Sequence, residues 1–313
     1  MTTQHRAVEH QIVIAAPAAE VYRHIAEVEN WPLIFPPTVY VDHVERSMAE
    51  ERIRIWATAN GEAKSWTSRR VLDANALRID FQQEVSAPPV AAMKGAWLIE
   101  PLADDECRVR LLHEYRAIGD DPDGLAWIDG AVDRNSRSEL GALKSNVELA
   151  QDGGELLLSF ADKVSVSGAA KDVYEFLNEA QLWEQRLPHV ARVDLRETAP
   201  GLQVLEMDTR TKDGSTHTTK SVRVCFPHNR IVYKQITLPA LLSLHTGCWQ
   251  IDEGPDGISV TSQHTVVINT ANIAKVLGVG ASVGQARDFV RTALSGNSRA
   301  TLELAKEYAD GRR

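Results

Sequence analysis

On a β-strand, side chains two residues apart share a face. Trp66, Ser68 and Arg70 therefore stand together, as do Gly95, Trp97 and Ile99, and separately Val109, Leu111, His113 and Tyr115. If these faces line one cavity, an arginine, a serine and a histidine sit among aromatic rings. Such a wall grips a ligand through apolar surface and sets its register with a few placed polar groups, which suits an elongated chain carrying carbonyls at intervals. An imidazole in that wall can move protons near neutral pH. Plainer readings stand beside these: a lone strand histidine is often a satisfied core residue, a strand arginine often faces solvent, and the tryptophans are either core or pocket wall. Arg69 takes the face opposite Arg70 and is the better surface candidate.

A helix supplies the other half of the candidate site. Ile128, Val132, Ser136, Leu140, Leu143 and Val147 recur at three and four spacing after the breaker run Asp120-Asp121-Pro122-Asp123-Gly124. At ~1.5 Å per residue, about 25 residues span roughly 38 Å, enough to cross a sheet. Asp129, Asp133 and Ser136 share the helix side that should face the sheet, making Asp133 a candidate partner for a histidine or a ligand hydroxyl. The alternatives are a solvated helix start and an ordinary surface ion pair with Arg137, four residues on.

Elements that could position these groups follow from periodicity. Val8 to Ile14 alternates as a strand, Pro17 to Val28 carries Val21, Ile25 and Val28 on one helical stripe, and Trp31-Pro32 breaks it. Six strands are predicted near 39–46, 51–59, 64–72, 77–86, 92–101 and 106–118, separated by Gly, Pro, Asn and Asp. The fold class is α+β: a seven-stranded antiparallel sheet curled around one long C-terminal helix, leaving a cavity between them.

The pattern then occurs again. Val21-Tyr22 and Trp31 recur as Val173-Tyr174 and Trp183, a displacement of 152, and in that register Val41-Asp42 meets Val193-Asp194 and Gly95-Ala96-Trp97 meets Gly247-Cys248-Trp249. His113 meets His264 after a one-residue shortening, and Asn135-Ser136-Arg137 recurs as Asn297-Ser298-Arg299. Two domains are predicted, 1–150 and 155–313, joined by Gln151-Asp152-Gly153-Gly154. Strict registration puts Val222 opposite Arg70; a turn one residue shorter after this strand puts Arg223 there instead.

Composition bounds the rest. The 313 residues suit two ordinary domains, and 43% hydrophobic with 25% charged residues is globular. A net charge of −9 argues against nucleic acid and anionic membranes as partners. The polar stretch Met1 to Glu9 lacks the apolar core of a signal peptide and no apolar run is long enough to span a bilayer, so the expected location is the cytoplasm. Cys107, Cys225 and Cys248 fit neither a disulfide framework nor a zinc site, and His10, His113, His217, His245 and His264 show no metal-ligand spacing, so no metal is expected.

The order of elements resembles the helix-grip fold of the START and Bet v 1 superfamily. More narrowly, VYRHIAEVENWP (21–32), WTSRRV (66–71), GAWLIEPL (95–102), LLHEY (111–115) and DRNSRSELGALK (133–144), with LPHVARVDL (187–195) and HTTKSVRV (217–224) in the second copy, resemble the polyketide aromatase/cyclases. Tandem copies at this length are similar to the di-domain members of bacterial type II polyketide synthases. The resemblance implies an enzyme that folds a carrier-bound poly-β-ketone, closes its first ring between carbons seven and twelve, and dehydrates the ring to an arene without a cofactor. It implies catalytic roles for Arg70, as the pocket arginine binding a carbonyl or developing oxyanion, and for His113 as general base and acid; Asp133, from its place on the helix, is the third catalytic candidate, as partner of the histidine or of a substrate hydroxyl. Trp31, Phe35, Trp66, Ser68, Met93, Trp97 and Ser136 would contact substrate, with Arg223, Trp249, His264 and Ser298 as second-domain counterparts. The implied partner is an acyl carrier protein, itself acidic, so a basic rim is expected near the mouths, with Arg69, Lys94 and Lys144 as candidates. The same fold also serves non-enzymatic carriers of hydrophobic ligands, which is the alternative function.

Overall fold

The structure is a computed structural model and describes residues 5–59, 61–151, 154–210, 214, 216–255 and 257–312. The chain divides between Gly154 and Glu155 into two compact units. Of the joint read from the sequence, Asp152 and Gly153 lie outside the described residues.

In the first unit, β1 (Arg6–Ile14) is followed by α1 (Ala18–Ala26) and α2 (Trp31–Ile34). Six strands come next: β2 (Thr38–Arg46), β3 (Glu50–Ala59), β4 (Glu62–Asp73), β5 (Arg78–Gln83), β6 (Val90–Ala103) and β7 (Glu106–Ala117). The unit ends in α3 (Pro122–Gln151). The sheet is seven-stranded, in the order β1-β7-β6-β5-β4-β3-β2, and every ladder is antiparallel. The expected meander is present, with β1 closing against the last strand.

Alternation decides the faces. Along β7, Cys107, Val109, Leu111 and Tyr115 are buried while Arg108 and Arg110 between them are not, so one side of the strand meets the helix and the other carries ion pairs to Glu100 and Glu9. Helix α3 packs on β1 and β7. It buries Ile128, Val132, Ser136, Leu140, Leu143 and Val147, the residues that the three and four spacing selects. Each large apolar side chain enclosed this way contributes ~1.5–3 kcal/mol. Trp31-Pro32 does more than end a helix. After α1 stops at Ala26, Pro32 sits in the first turn of α2, and the Trp31 indole donates back to the Ile25 carbonyl at 3.0 Å.

The second unit repeats the plan with β8 (Leu157–Val166), α4 (Ala170–Asn178) and α5 (Trp183–Arg186). Its strands are β9 (Val190–Ala199), β10 (Leu202–Arg210), β11 (Thr216–Phe226), β12 (Arg230–Thr237), β13 (Leu242–Gly254) and β14 (Gly257–Ile268). Helices α6 (Ile273–Leu277) and α7 (Val283–Asp310) complete it. Its sheet order is β8-β14-β13-β12-β11-β10-β9. Ser282 begins α7 with a reciprocal capping box to Gln285.

Register settles which arginine corresponds to Arg70. Glu51 pairs with Arg70 across β3 and β4, and Gln203 pairs with Arg223 across β10 and β11. Residues 74–77 separate β4 from β5, whereas only 227–229 separate β11 from β12, and this shorter turn restores the displacement of 152 at Arg78 and Arg230.

Two glycines shape the concave face. A Cβ on Gly95 would lie 2.4 Å from the Phe81 ring and 2.2 Å from the Leu112 carbonyl oxygen, and one on Gly247 would lie 2.3 Å from the Tyr233 ring. In each unit an aromatic ring from the neighbouring strand lies across the glycine, which no larger residue permits. Gly95→Ala and Gly247→Ala are each expected to displace that ring and cost ~1–3 kcal/mol, seen as a lower urea midpoint with an unchanged slope.

Candidate functional site

Arg70 is 2% exposed and fully engaged. Its Nη1 donates to Glu51 Oε1 at 2.6 Å and to the Ala26 carbonyl at 3.3 Å, Nη2 donates to the Ile25 carbonyl at 2.8 Å, and the guanidinium lies 5.0 Å from the centre of the Trp31 ring. It thus caps the C-terminal end of α1, where carbonyls lack helix partners. Burial lowers its pKa to about 10 against the opposing effect of Glu51. The second oxygen of Glu51 meets His43 at 2.9 Å, so the arginine belongs to a buried, charge-balanced cluster.

His113 lies on the concave face, edge-on to Phe81 at 5.5 Å, and its Nδ1 is buried without a hydrogen-bond partner. Burial, then the neighbouring His10, lowers its pKa to about 4, so the imidazole is neutral at pH 7. Ser136, 1% exposed on α3, likewise has an unpartnered hydroxyl. Trp31, Phe35 and Trp97 form one aromatic run, with ring centres 5.5 Å and 6.2 Å apart. Trp66 packs with Val28, Ile53 and Ile55, whereas Met93 joins Tyr115, Ile128 and Val132 at the other end of α3. Ser68 spends its hydroxyl on the Gln82 carbonyl at 3.0 Å, within the sheet.

Two expectations need correction. Asp133 does not partner His113: its carboxylate, half exposed, is held by His10 at 2.9 Å and by Arg137 at 2.9 Å, so it belongs to the flank of α3. The expected basic rim is also neutralised. Arg69 is paired with Glu84 at 3.0 Å, Lys94 with Glu114 at 2.9 Å, and Lys144 with Glu148.

The carboxyl that sequence reasoning missed is Glu139. It stands three residues after Ser136, as Thr301 stands three after Ser298 on α7, and Thr301 lines the second unit's cavity. Among the described residues Glu139 has no hydrogen-bond or ion-pair partner, and burial pushes its carboxyl up to about 7. A three-residue step from Ser136 was the available signal. Asp133 drew attention first because it makes the same step on the other side.

The second unit encloses a cavity of about 130 Å³ whose lining includes Trp183, Arg223, Tyr233, His245, Trp249, His264, Ser298 and Thr301. His264 is the hub of a polar chain. Its Nδ1 lies 2.9 Å from His245 Nε2 and 3.1 Å from the Tyr233 hydroxyl, and its Nε2 lies 2.6 Å from Ser298 Oγ and 3.3 Å from Ser262 Oγ. Burial lowers His245 to about 3 and His264 to about 4, so both rings are neutral. Counterparts in the first unit are largely apolar. Met93 precedes Gly95 by two residues as His245 precedes Gly247, and Phe81 lies over Gly95 as Tyr233 lies over Gly247. Arg223 donates to the Leu177 carbonyl at 2.6 Å beneath Trp183, repeating the cap that Arg70 makes. No helix among the described residues is long and apolar enough to cross a membrane, and none of their His, Cys, Asp and Glu side chains cluster as metal ligands.

Comparison with known proteins gives a consistent picture. The family described as polyketide cyclase / dehydrase and lipid transport matches residues 5–148. The chain is 53% identical to the granaticin polyketide synthase bifunctional cyclase/dehydratase of Streptomyces virginiae, over 96% of this chain and 98% of that one. It is 43% identical to the actinorhodin polyketide synthase bifunctional cyclase/dehydratase of Streptomyces coelicolor, over 98% and 97% respectively. Among solved structures it is similar to the di-domain ARO/CYC BexL from the BE-7585A biosynthetic pathway, with a TM-score of 0.92 and 67% identity over 97% of this chain and 99% of that one.

The buried neutral histidines carry a pH dependence. Folded values of about 3 and about 4 lie below the ordinary imidazole value of 6.5, so the stabilisation is complete above pH 6.5 and is lost as pH falls through about 4 and then about 3. Urea unfolding should show falling stability over that window. His245→Met, which installs the residue found at the first unit's equivalent place, should make the decline shallower.

Proposed function

The chain belongs to the bifunctional cyclase/dehydratase family of polyketide synthases and is a polyketide cyclase/aromatase; we propose that it closes the first ring of an acyl-carrier-bound poly-β-ketone, joining carbons seven and twelve, and dehydrates that ring to an arene. One observation carries the assignment of residues. The first unit sets a neutral imidazole with an orphaned nitrogen, His113, on the strand against which α3 packs, and that helix brings a partnerless carboxyl poised near neutrality, Glu139.

The proton inventory closes with these two groups. His113 takes a proton from the methylene between two ketones, and the resulting enolate carbon forms the new carbon–carbon bond to the electrophilic ketone. Glu139, protonated, delivers its proton to the oxygen that would otherwise become an alkoxide. In the second stage the His113 imidazolium protonates the departing hydroxyl, which leaves as water, while the Glu139 carboxylate removes the remaining ring proton. Enolisation completes the arene, both side chains return to their starting states, and no electrons are transferred. Methylenes between ketones are already acidic, so much of the rate comes from holding one conformer of a flexible chain against the Trp31, Phe35 and Trp97 surface. Arg70 enters as a positioning residue: with its charge answered by Glu51, it fixes the end of α1 and the tryptophan above it.

The test supplies a minimal polyketide synthase and compares aromatic product with the spontaneous shunt mixture. His113→Ala should lower productive cyclisation ~100- to 10,000-fold. Wild-type activity should fall as pH rises through about 7, where Glu139 loses its proton, and Glu139→Gln should abolish that alkaline limb. An unchanged shunt mixture with the wild type would instead favour a carrier that binds without turnover, and full activity of His113→Ala would remove the assigned base.

A further inference from the structure

The two units share a histidine and a serine at matched places, but only the second joins them. His113 and Ser136 in the first unit correspond to His264 and Ser298 in the second. In the first, His113 Nδ1 and the Ser136 hydroxyl are buried without a partner among the described residues. In the second, His264 Nε2 lies 2.6 Å from Ser298 Oγ. The residues around that bond have been exchanged one by one. His245 stands where the first unit has Met93, Tyr233 where it has Phe81, Ser262 where it has Leu111, and Asp162 where it has His10. All four bear on His264. Its Nδ1 lies 2.9 Å from His245 Nε2 and 3.1 Å from the Tyr233 hydroxyl, its Nε2 lies 3.3 Å from the Ser262 hydroxyl, and the charge of Asp162 favours its protonated form. Asp162 stands opposite Ser262 on β8 with its side chain 2% exposed. Arg299 holds its Oδ1 at 2.6 Å, and its Oδ2 is buried without a partner among the described residues.

A hydroxyl bonded to an imidazole whose far nitrogen is held by a third group is the arrangement that makes a serine nucleophilic. With the single proton of neutral His264 on Nδ1, where His245 Nε2 accepts it, Nε2 is free to take the proton of Ser298, while the Ser262 hydroxyl, 3.3 Å away, donates to the Ser298 oxygen. Asp162 answers the imidazolium that forms. Ser298 and His264 line the second cavity together with Trp183, Trp249, Asn297 and Gln235. The indoles offer flat apolar surface to an acyl group, and the two amides carry N–H donors for a carbonyl oxygen that becomes negative.

We propose that the second unit is an acyl-transfer site for thioesters of flat unsaturated acids, with Ser298 as nucleophile, His264 as general base and acid, and His245 as the residue that positions the imidazole. Ser298 Oγ bonds to the thioester carbonyl carbon while its proton passes to His264 Nε2. The carbon–sulfur bond breaks, and the leaving thiolate takes that proton. Water then attacks the ester carbonyl and gives a proton to His264, which returns it to Ser298 Oγ as the carbon–oxygen bond breaks. Thioester and water become carboxylic acid and thiol, and nothing is oxidised or reduced. A thioester is the acyl class that suits, because its carbonyl is strongly electrophilic and its thiolate leaves readily, so the weak basicity that burial gives His264 suffices. Hydrolysis of the less reactive ester on Ser298 is then the slow step. This activity is separate from ring closure and rests on no role given to His113 or Glu139.

The full chain would be mixed with the N-acetylcysteamine thioester of 2-naphthoic acid, thiol release followed with time, and the acid-quenched protein mapped by mass spectrometry. The wild type should give a burst of thiol stoichiometric with the chain, then slower turnover, and the naphthoyl group should map to Ser298. Ser298→Ala should abolish the burst and the label and lower thiol release at least about 100-fold. His245→Met should lower kcat at least about tenfold while KM changes less than about twofold, which separates positioning of the imidazole from loss of binding. Circular dichroism reports folding of each variant, and should Ser298→Ala fail to fold, the mapped label in the wild type decides the matter. Thiol release no faster than in buffer, a label on another residue, or a folded Ser298→Ala with the wild-type rate overturns the proposal. None of these outcomes bears on ring closure, which the shunt-product comparison measures separately.

Discussion

A guanidinium taken out of water has to be answered by something, and in both units the answer organises the site. The arginine reaches under a tryptophan to the carbonyls ending the first helix, which ties β4 to α1 and β11 to α4. That tie sets where the helix stops and keeps Trp31 and Trp183 flat against the concave sheet. Without it, the end of the helix would present open carbonyls to an apolar interior, and the aromatic wall would lose its anchor.

Around this shared anchor the two halves have diverged through single side chains at matched places. Glu51, Phe81, Met93 and Glu139 in the first unit stand where Gln203, Tyr233, His245 and Thr301 stand in the second. Backbone register is unaffected, because each exchange sits on a face already built. The chemistry changes: the first unit's concave face combines a paired arginine with an imidazole and a carboxyl that have no partner among the described residues, while the second unit's cavity combines an arginine set opposite an amide with a chain of uncharged hydrogen-bonding groups. Duplication gave one scaffold; substitution of interior residues gave two environments.

The sheet and the long helix were legible because period-two and three-four spacing are local signals, repeated twice in one chain. Arg70, Trp97 and His113 were found for the same reason, since strand parity assigns a face. What parity could not supply was the partner of each polar group. Asp133 and Glu139 both lie near Ser136 in sequence, and only the turn of α3 against β7 decides that one carboxyl meets solvent-side cations while the other is half-buried and desolvated, without a partner among the described residues. Glu51 escaped notice because an acidic residue early in a strand reads as surface, and its burial depends on a cation nineteen residues later. The basic rim failed on the same ground: charge counts along a chain say nothing about which lysine meets which glutamate.

The closure of β1 on β7 has a kinetic meaning. Arg6 lies opposite Tyr115 and Leu157 opposite Val267, so the first strand of each unit stays unpaired until nearly the whole unit has been synthesised. Loops of that length make folding slow, and during the wait a strand edge and an apolar face are open to wrong partners. Two such units in sequence, with near-identical strand patterns, could exchange first strands. The ribosome separates them in time: the first unit's sheet can close while the second is still being made.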